Sequence, residues 1–339
     1  MASSLTQDAR TVLLPAFDGT TLSDATRRFL DQGGISILLG ESREEYVARR
    51  MSDGRKAAET AETFQRVVTE ARSRSGLLLT AVDQELGGIC RLEALVPSFP
   101  SKKRLPETSA EEIRASSVAV AKAAFAMGVN VFLSPVVDAL NGDNPWLRGR
   151  TFSPDPEVIA RLSTAYIEGI QAGGVAATVK HFPGFRSTTG DPAIDPSAVS
   201  LTPAHEVEAG LVPFRSAIAA GVELVMVGPA PVVALDPHKA ALRSRTVVQK
   251  LKTELGFNGV VMADDLDSQA TMRGDSVEEV ALDALNAGCD YLLLADVGDQ
   301  VDRIAQAIEF AAGTGRISEE ALARSAQKVR DLAEKYRSE

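Results

Sequence analysis

The chain has 339 residues, enough to bury a large core as one α/β domain or as two smaller ones. At 45% hydrophobic and 24% charged residues, its composition is that of an ordinary soluble globular protein. A formal charge of -10 speaks against a phosphate-backbone partner, which calls for clustered Lys and Arg.

The basic residues are scattered apart from the short run Ser101–Arg104, which reads as a solvated loop, so no nucleic-acid partner is expected. Cys90 and Cys289 both lie in apolar surroundings; two cysteines are too few for a disulfide framework and read as reduced core residues. The opening segment Met1–Gly19 has no basic region and only a short apolar run, so it does not read as a secretory signal. No stretch approaches the length that spans a bilayer. The expectation is a cytoplasmic protein with no membrane partner, its oligomeric state unspecified by the sequence.

In chain order, the candidate strands are Thr11–Phe17, Ile35–Leu39, Leu77–Asp83 and Val131–Asp138, followed by Val175–Phe182, Glu223–Pro229, Gly259–Asp265 and Asp290–Asp296. Continuous apolar runs of this length suit strands buried on both faces, as in a parallel sheet. Eight of them, each followed by a helical pattern, match the arithmetic of a (β/α)8 barrel. Helix signals agree. Ser276 and Glu279 form an S-x-x-E pattern before Val277–Ala287, and Gly288 supplies a stop. The last helix starts near Ser318 and repeats Leu322, Val329 and Leu332 at helical spacing. Gly19–Asp24 reads as a turn and helix cap, since it lacks the lysine of a phosphate loop. No linker or change of composition interrupts the chain, so residues 1–339 are read as a single TIM-type α/β barrel domain. An open doubly wound sheet is the alternative.

In such a barrel the C-terminal ends of the strands face the active site. Polar residues collect at those ends: Asp18, Asp83, Asp138, Lys180, His181, Asp264, Asp265 and Asp296. Some would serve as helix caps. The Lys180-His181 pair is harder to assign to structure alone, because burying a cation costs several kcal/mol unless it is paired.

Several segments resemble glycoside hydrolase family 3, in its β-N-acetylglucosaminidase branch. They are DQELGGICRL (Asp83–Leu92), GRTFSPDP (Gly149–Pro156), KHFPG (Lys180–Gly184), LGFNGVVMADDL (Leu255–Leu266) and ALNAGCDYLLL (Ala284–Leu294), in the family's order. The resemblance implies a (β/α)8 barrel of that family's N-terminal type, acting on β-N-acetylglucosaminides. Carried over by position, it makes Asp83 an acceptor for sugar hydroxyls and Arg91, Arg150, Lys180 and His181 donors to the others. The structural alternatives are a turn cap for Asp83 and a salt bridge to Asp155 for Arg150. Asp264 matches the nucleophile, with Asp265 as its cap or orienter; the residues alone do not choose between these two.

The same resemblance exposes a gap. The family's acid/base segment reads K-H-F-P-G-H-G-x-T-x-x-D-S-H, where the Asp orients a proton-shuttling His. From Lys180 without gaps this chain supplies Asp191, Pro192 and Ala193, so the Asp is present and the His is replaced. Gly184-Phe185-Arg186 stands where the family has Gly-His-Gly, and Phe185 offers an apolar or stacking surface there. Of the three histidines, His181 is assigned to substrate, His205 opens a later helix and His238 reads as a surface residue. Asp191 or Asp195 could give the proton if burial raised its pKa.

The expected function is therefore a retaining β-N-acetylhexosaminidase-like hydrolase of a small-molecule glycoside, with a non-standard or absent acid/base. The expected catalytic residues are Asp264 and Asp191. Alternatives are elimination or glycosyl transfer on a specialised glycoside, or sugar binding without hydrolysis. No cofactor is implied, and no metal, because no His/Cys/Asp cluster has ligand spacing.

Overall fold

The computed structural model describes residues 4–296 and 298–337, so the first three residues of the opening segment and the last two of the chain lie outside the described residues. The strands are β1 (Leu13–Phe17), β2 (Ser36–Leu39), β3 (Leu79–Val82), β4 (Val131–Phe132), β5 (Ala176–Phe182), β6 (Leu224–Val227), β7 (Val260–Ala263) and β8 (Tyr291–Leu294). They form a closed barrel in sequence order. Every ladder is parallel, and β8 returns to pair with β1. The expected barrel is the observed fold, and the open sheet is not.

The strands are shorter than the apolar runs that announce them, because the run continues into the βα loop after the ladder ends. The fourth is the clearest case. Its ladder stops at Phe132, yet Leu133–Asp138 still runs beside β5, with Val136 bridging Lys180 and Val137 N–H donating to the Lys180 carbonyl. Pro135 has no N–H to give the ladder.

Side chains alternate across each strand. Leu79 and Ala81, Leu224 and Met226, Val260 and Met262, and Tyr291 and Leu293 fill the barrel interior. Their neighbours Val82, Val225, Val227, Val261, Ala263, Leu292 and Leu294 pack outward into the layer under the helices. Continuing the inward set past the strand ends gives Asp83 on β3 and Asp264 on β7. On β5 the set Ala176, Thr178, Lys180 ends in the lysine, and a register shift between Lys180 and Phe182 follows it.

The expected helix ends are found. Ser276 accepts from Glu279 N–H at 3.3 Å and starts Val277–Ala287, and Gly288 ends it at φ 112°, a conformation that favours glycine. The Glu279 carboxylate goes to Arg316 instead of closing the box. Ser318 caps Glu319–Lys335, whose Leu322, Val329 and Leu332 are buried. Ser23 caps Asp24–Asp31, as its segment suggests. Both cysteines are free; Cys289 is buried, whereas Cys90 is only half-buried, its Sγ donating to the Glu85 carbonyl. No helix among the described residues is long and apolar enough to cross a membrane.

At the N-terminal end of the barrel strands, one side chain ties three segments. Buried Asn130 donates from Nδ2 to the carbonyls of Leu78 and Tyr336 at 2.9 and 3.1 Å, and accepts from Thr80 N–H at 2.7 Å. Asn130→Ala strands those backbone groups in a dry place, where each unpaired group costs about 1–3 kcal/mol. With three groups unpaired, the variant should lose at least about 3 kcal/mol of stability, read as a lower urea midpoint with an unchanged slope.

Candidate active site

The site is built around a carboxylate that solvent does not reach. Glu85, in the loop after β3, is completely buried and receives Arg150 from the loop after β4, with Nη2 to Oε1 at 2.6 Å and Nε to Oε1 at 3.2 Å. Lys180 of β5 reaches the same Oε1 at 3.1 Å and Asp83 Oδ1 at 2.6 Å. Glu85 Oε2 also accepts the Ile89 N–H at 3.0 Å. Burial pushes the Glu85 carboxyl up, but Arg150 and Lys180 outweigh it and hold its pKa well below the usual range. Burial likewise pulls Lys180 down, and Asp83 and Glu85 outweigh that, so it stays charged.

His181 is held by a second buried carboxylate. Asp138 Oδ2 lies 2.8 Å from Nδ1 and accepts the His181 backbone N–H at 3.1 Å, while Oδ1 accepts Phe185 N–H at 2.7 Å. A carboxylate at Nδ1 fixes the proton there, so Nε2 is the nitrogen presented to the cavity. It stands 3.9 Å from Asp264 Oδ2. Asp264 Oδ1 accepts Asp265 N–H at 2.8 Å, and Oδ2 is buried without a hydrogen-bond partner.

Two aromatic side chains roof this polar wall. Trp146 lies over His181 with ring centroids 4.4 Å apart, and its Nε1 donates to the Tyr46 hydroxyl at 3.3 Å. Arg150 Nη1 donates to the same hydroxyl at 3.0 Å. Tyr46 sits on the short helix Arg43–Ala48, which the Ser42–Glu45 capping box anchors after β2.

Asp83, Arg150, Lys180, His181 and Asp264 therefore meet, together with Asp265, Tyr46, Trp146 and Ala193, around a niche of about 40 Å³. That is the room of about three waters. It adjoins a larger lobe of about 410 Å³, which shares Tyr46, Asp83, Asp265 and Leu293 with it. A ring the size of a pyranose reaches Asp264 only by extending from the lobe into the niche.

The structure corrects several assignments. Arg91 is not in the cavity: Nη1 and Nη2 form a two-point pair with Glu59 at 2.6 and 2.8 Å, and Nε donates to the Gly40 carbonyl at 2.7 Å. Its donors are spent inside the protein. Arg150 pairs with Glu85 rather than Asp155, which caps the helix Pro156–Ala172. Asp83 binds Lys180 rather than capping a turn.

Asp191 does not line the niche; its Oδ1 accepts Ala193 N–H at 3.0 Å, closing a local turn. Asp195 likewise binds Ser197, whose hydroxyl and N–H lower its pKa, the wrong direction for a proton donor at neutral pH. Phe185 offers no surface: it is fully buried, edge-on to Trp146 at 5.4 Å, which removes the feature that motivated elimination or transfer. The loop carrying these residues is stitched down, with Pro192 and Ala193 carbonyls accepting Ala270 and Gln269 N–H at 3.0 and 3.5 Å. His238 is exposed, as expected.

Glu85, Tyr46 and Trp146 escape the sequence reading. Glu85 had a signal, since it lies two residues beyond Asp83 in the same segment. Tyr46 and Trp146 had none, because their loops meet only in three dimensions.

The N-terminal domain of glycosyl hydrolase family 3 matches residues 14–332. A β-hexosaminidase of Xanthomonas campestris pv. campestris (strain B100) is 34% identical over 246 residues, 69% of this chain and 72% of that one. A β-hexosaminidase of Nitrosomonas eutropha is 30% identical over 276 residues, 78% of each chain. A glycoside hydrolase family 3 β-N-acetylglucosaminidase from Paenibacillus sp. str. FPU-7 superposes with a TM-score of 0.87 at 29% identity; the match covers 99% of this chain but 63% of that one.

The charge cluster makes a stability prediction. Because the Glu85 pKa is depressed in the folded state, its contribution is complete above the ordinary glutamate value of about 4.3 and is lost as pH falls below it. Glu85→Gln leaves Arg150 and Lys180 short of a counterion and should cost about 3–5 kcal/mol at pH 7. Urea titrations between pH 7 and 3.5 should show the wild-type advantage shrinking on acidification.

Proposed function

Since the chain belongs to glycosyl hydrolase family 3, we propose that it cleaves β-N-acetylglucosaminides by the retaining route, with Asp264 as nucleophile. The observation that carries this reading is the Asp264 Oδ2 atom, buried at a cavity wall without a hydrogen-bond partner. A carboxylate oxygen so placed is expensive unless a reacting atom meets it. In the proposed complex Asp83 accepts from sugar hydroxyls, Arg150 and Lys180 donate to others, and His181 Nε2, its ring proton held at Nδ1 by Asp138, accepts from one. Asp264 Oδ2 attacks the anomeric carbon as the bond to the departing oxygen breaks, and water then releases the sugar from the ester.

The proton for the departing oxygen is the weak point. Ala193 lines the niche where the family resemblance puts a histidine, and Asp191 and Asp195 are bound within their own turns. Leaving groups that are stable as anions need no such proton, whereas alkoxides do. This supports a glycosidase restricted to good leaving groups.

An activated aryl N-acetylglucosaminide should be turned over, and Asp264→Asn should lower kcat at least about 10³-fold with folding intact. Alkyl N-acetylglucosaminides should lag by about 10²–10⁴-fold, the usual worth of a general acid. Ala193→His should narrow that lag by about tenfold or more while leaving the aryl rate nearly unchanged. A wild-type protein that binds the sugar yet hydrolyses neither substrate would exclude the hydrolytic reading.

A further inference from the structure

The lobe beside the niche is chemically one-sided. Asp18, Glu41, Asp83, Asp265 and Asp296 line it, and among the described residues no lysine or arginine does. Asp18 is answered from outside the lobe by Arg55, and Asp83 by Lys180. Glu41 is different. Its Oε2 has no accessible surface and no hydrogen-bond partner, although it lies in the wall of a 410 Å³ space. Burial first, and then the Asp83 carboxylate, raise the Glu41 pKa to about 8 against the opposing pull of Arg91 and Lys180. At pH 7 such a carboxyl is largely protonated, and a cation placed in the lobe beside it would draw it back to its charged form.

The hydroxyl-binding groups stand on the β3–β5 side and Asp264 stands on β7, so a ring engaged with both directs its remaining substituents toward the larger space at β1, β2 and β8. We propose that this lobe receives an aglycone bearing an ammonium group, with Glu41 as its principal counterion and Asp296 and Asp265 completing the negative wall. The inference rests on the glycosidase reading above and adds a substrate class to it. An aglycone ammonium returns Glu41 to its charged form and offsets the electrostatic cost of the crowded carboxylates. A neutral aglycone of the same length does neither.

The test compares two hydrolysis-resistant S-linked ligands, 2-aminoethyl and 2-hydroxyethyl 1-thio-N-acetylglucosaminide, by calorimetry on the full chain at pH 7 and low salt. The amine should bind about tenfold more tightly, and the ratio should fall as salt screens the lobe. Glu41→Gln should bring the ratio close to one, and Asp296→Asn, at an exposed position that leaves the fold untouched, should reduce it. Equal or weaker binding of the amine by the wild type, with the neutral ligand bound normally, would overturn the inference and leave the glycosidase reading standing. An undiminished ratio in both variants would overturn it as well. Failure of either ligand to bind would overturn both readings together.

Discussion

Three consecutive βα units are locked together by one buried carboxylate. Glu85 comes from the loop after β3, Arg150 from the loop after β4 and Lys180 from β5 itself, and all three side chains are almost wholly removed from water. No pair among them would be stable there alone, since burying an ion costs several kcal/mol and each partner offsets the others. The consequence is geometric. The loops have no freedom to shift without exposing an unpaired charge, so the donors of Arg150 and Lys180 that remain are held at fixed positions on the cavity wall. His181 follows the same logic through Asp138, which holds both its ring and its backbone. Rigid placement of this kind is what a site for a polyhydroxyl ligand requires.

Arg91 makes the contrast instructive. It carries the same side chain as Arg150 and sits six residues beyond Glu85, yet its guanidinium turns outward to Glu59 and the Gly40 carbonyl. There it fastens the loop after β3 to the one after β2. One arginine builds the wall and the other builds the support behind it. Nothing local in the sequence separates the two, because their partners come from different βα units.

The barrel itself was legible because eight buried parallel strands leave eight apolar runs, a signal set by the strand's own surroundings. The strand boundaries were less so, since apolar residues continue past the ladder into loops that are also buried. At the site, what the strand's alternation determines could have been read: Val260, Met262 and Asp264 share a face, which separates Asp264 from Asp265 without any relative to consult. The residues supplied by loops lay beyond reach. Tyr46 and Trp146 meet over Arg150 only because a two-turn helix and an irregular loop are folded to the same mouth, and the lobe at Glu41 has no sequence pattern at all.

The charges around the cavity also have a direction. On the β3–β5 side the cations Arg150 and Lys180 are already neutralised by Glu85 and Asp83, so that wall donates hydrogen bonds without projecting much net positive field. On the β7 side Asp264 has an oxygen to spare, and beyond it Asp265, Asp296 and Glu41 add carboxyl groups. Positive charge that develops on a sugar ring as its glycosidic bond breaks would therefore face carboxylates and not cations. In the proposed reaction, Ala193 in place of a proton donor and the presence of this field would act on different parts of the same step. The field lowers the energy of the ring as it becomes cationic, but it does nothing for the departing oxygen and even disfavours an anion leaving through an acidic lobe. A departing group that carries its own positive charge would escape that penalty, so the proposed lack of a proton donor at Ala193 and the acidic composition of the space beside it would favour the same class of substrate.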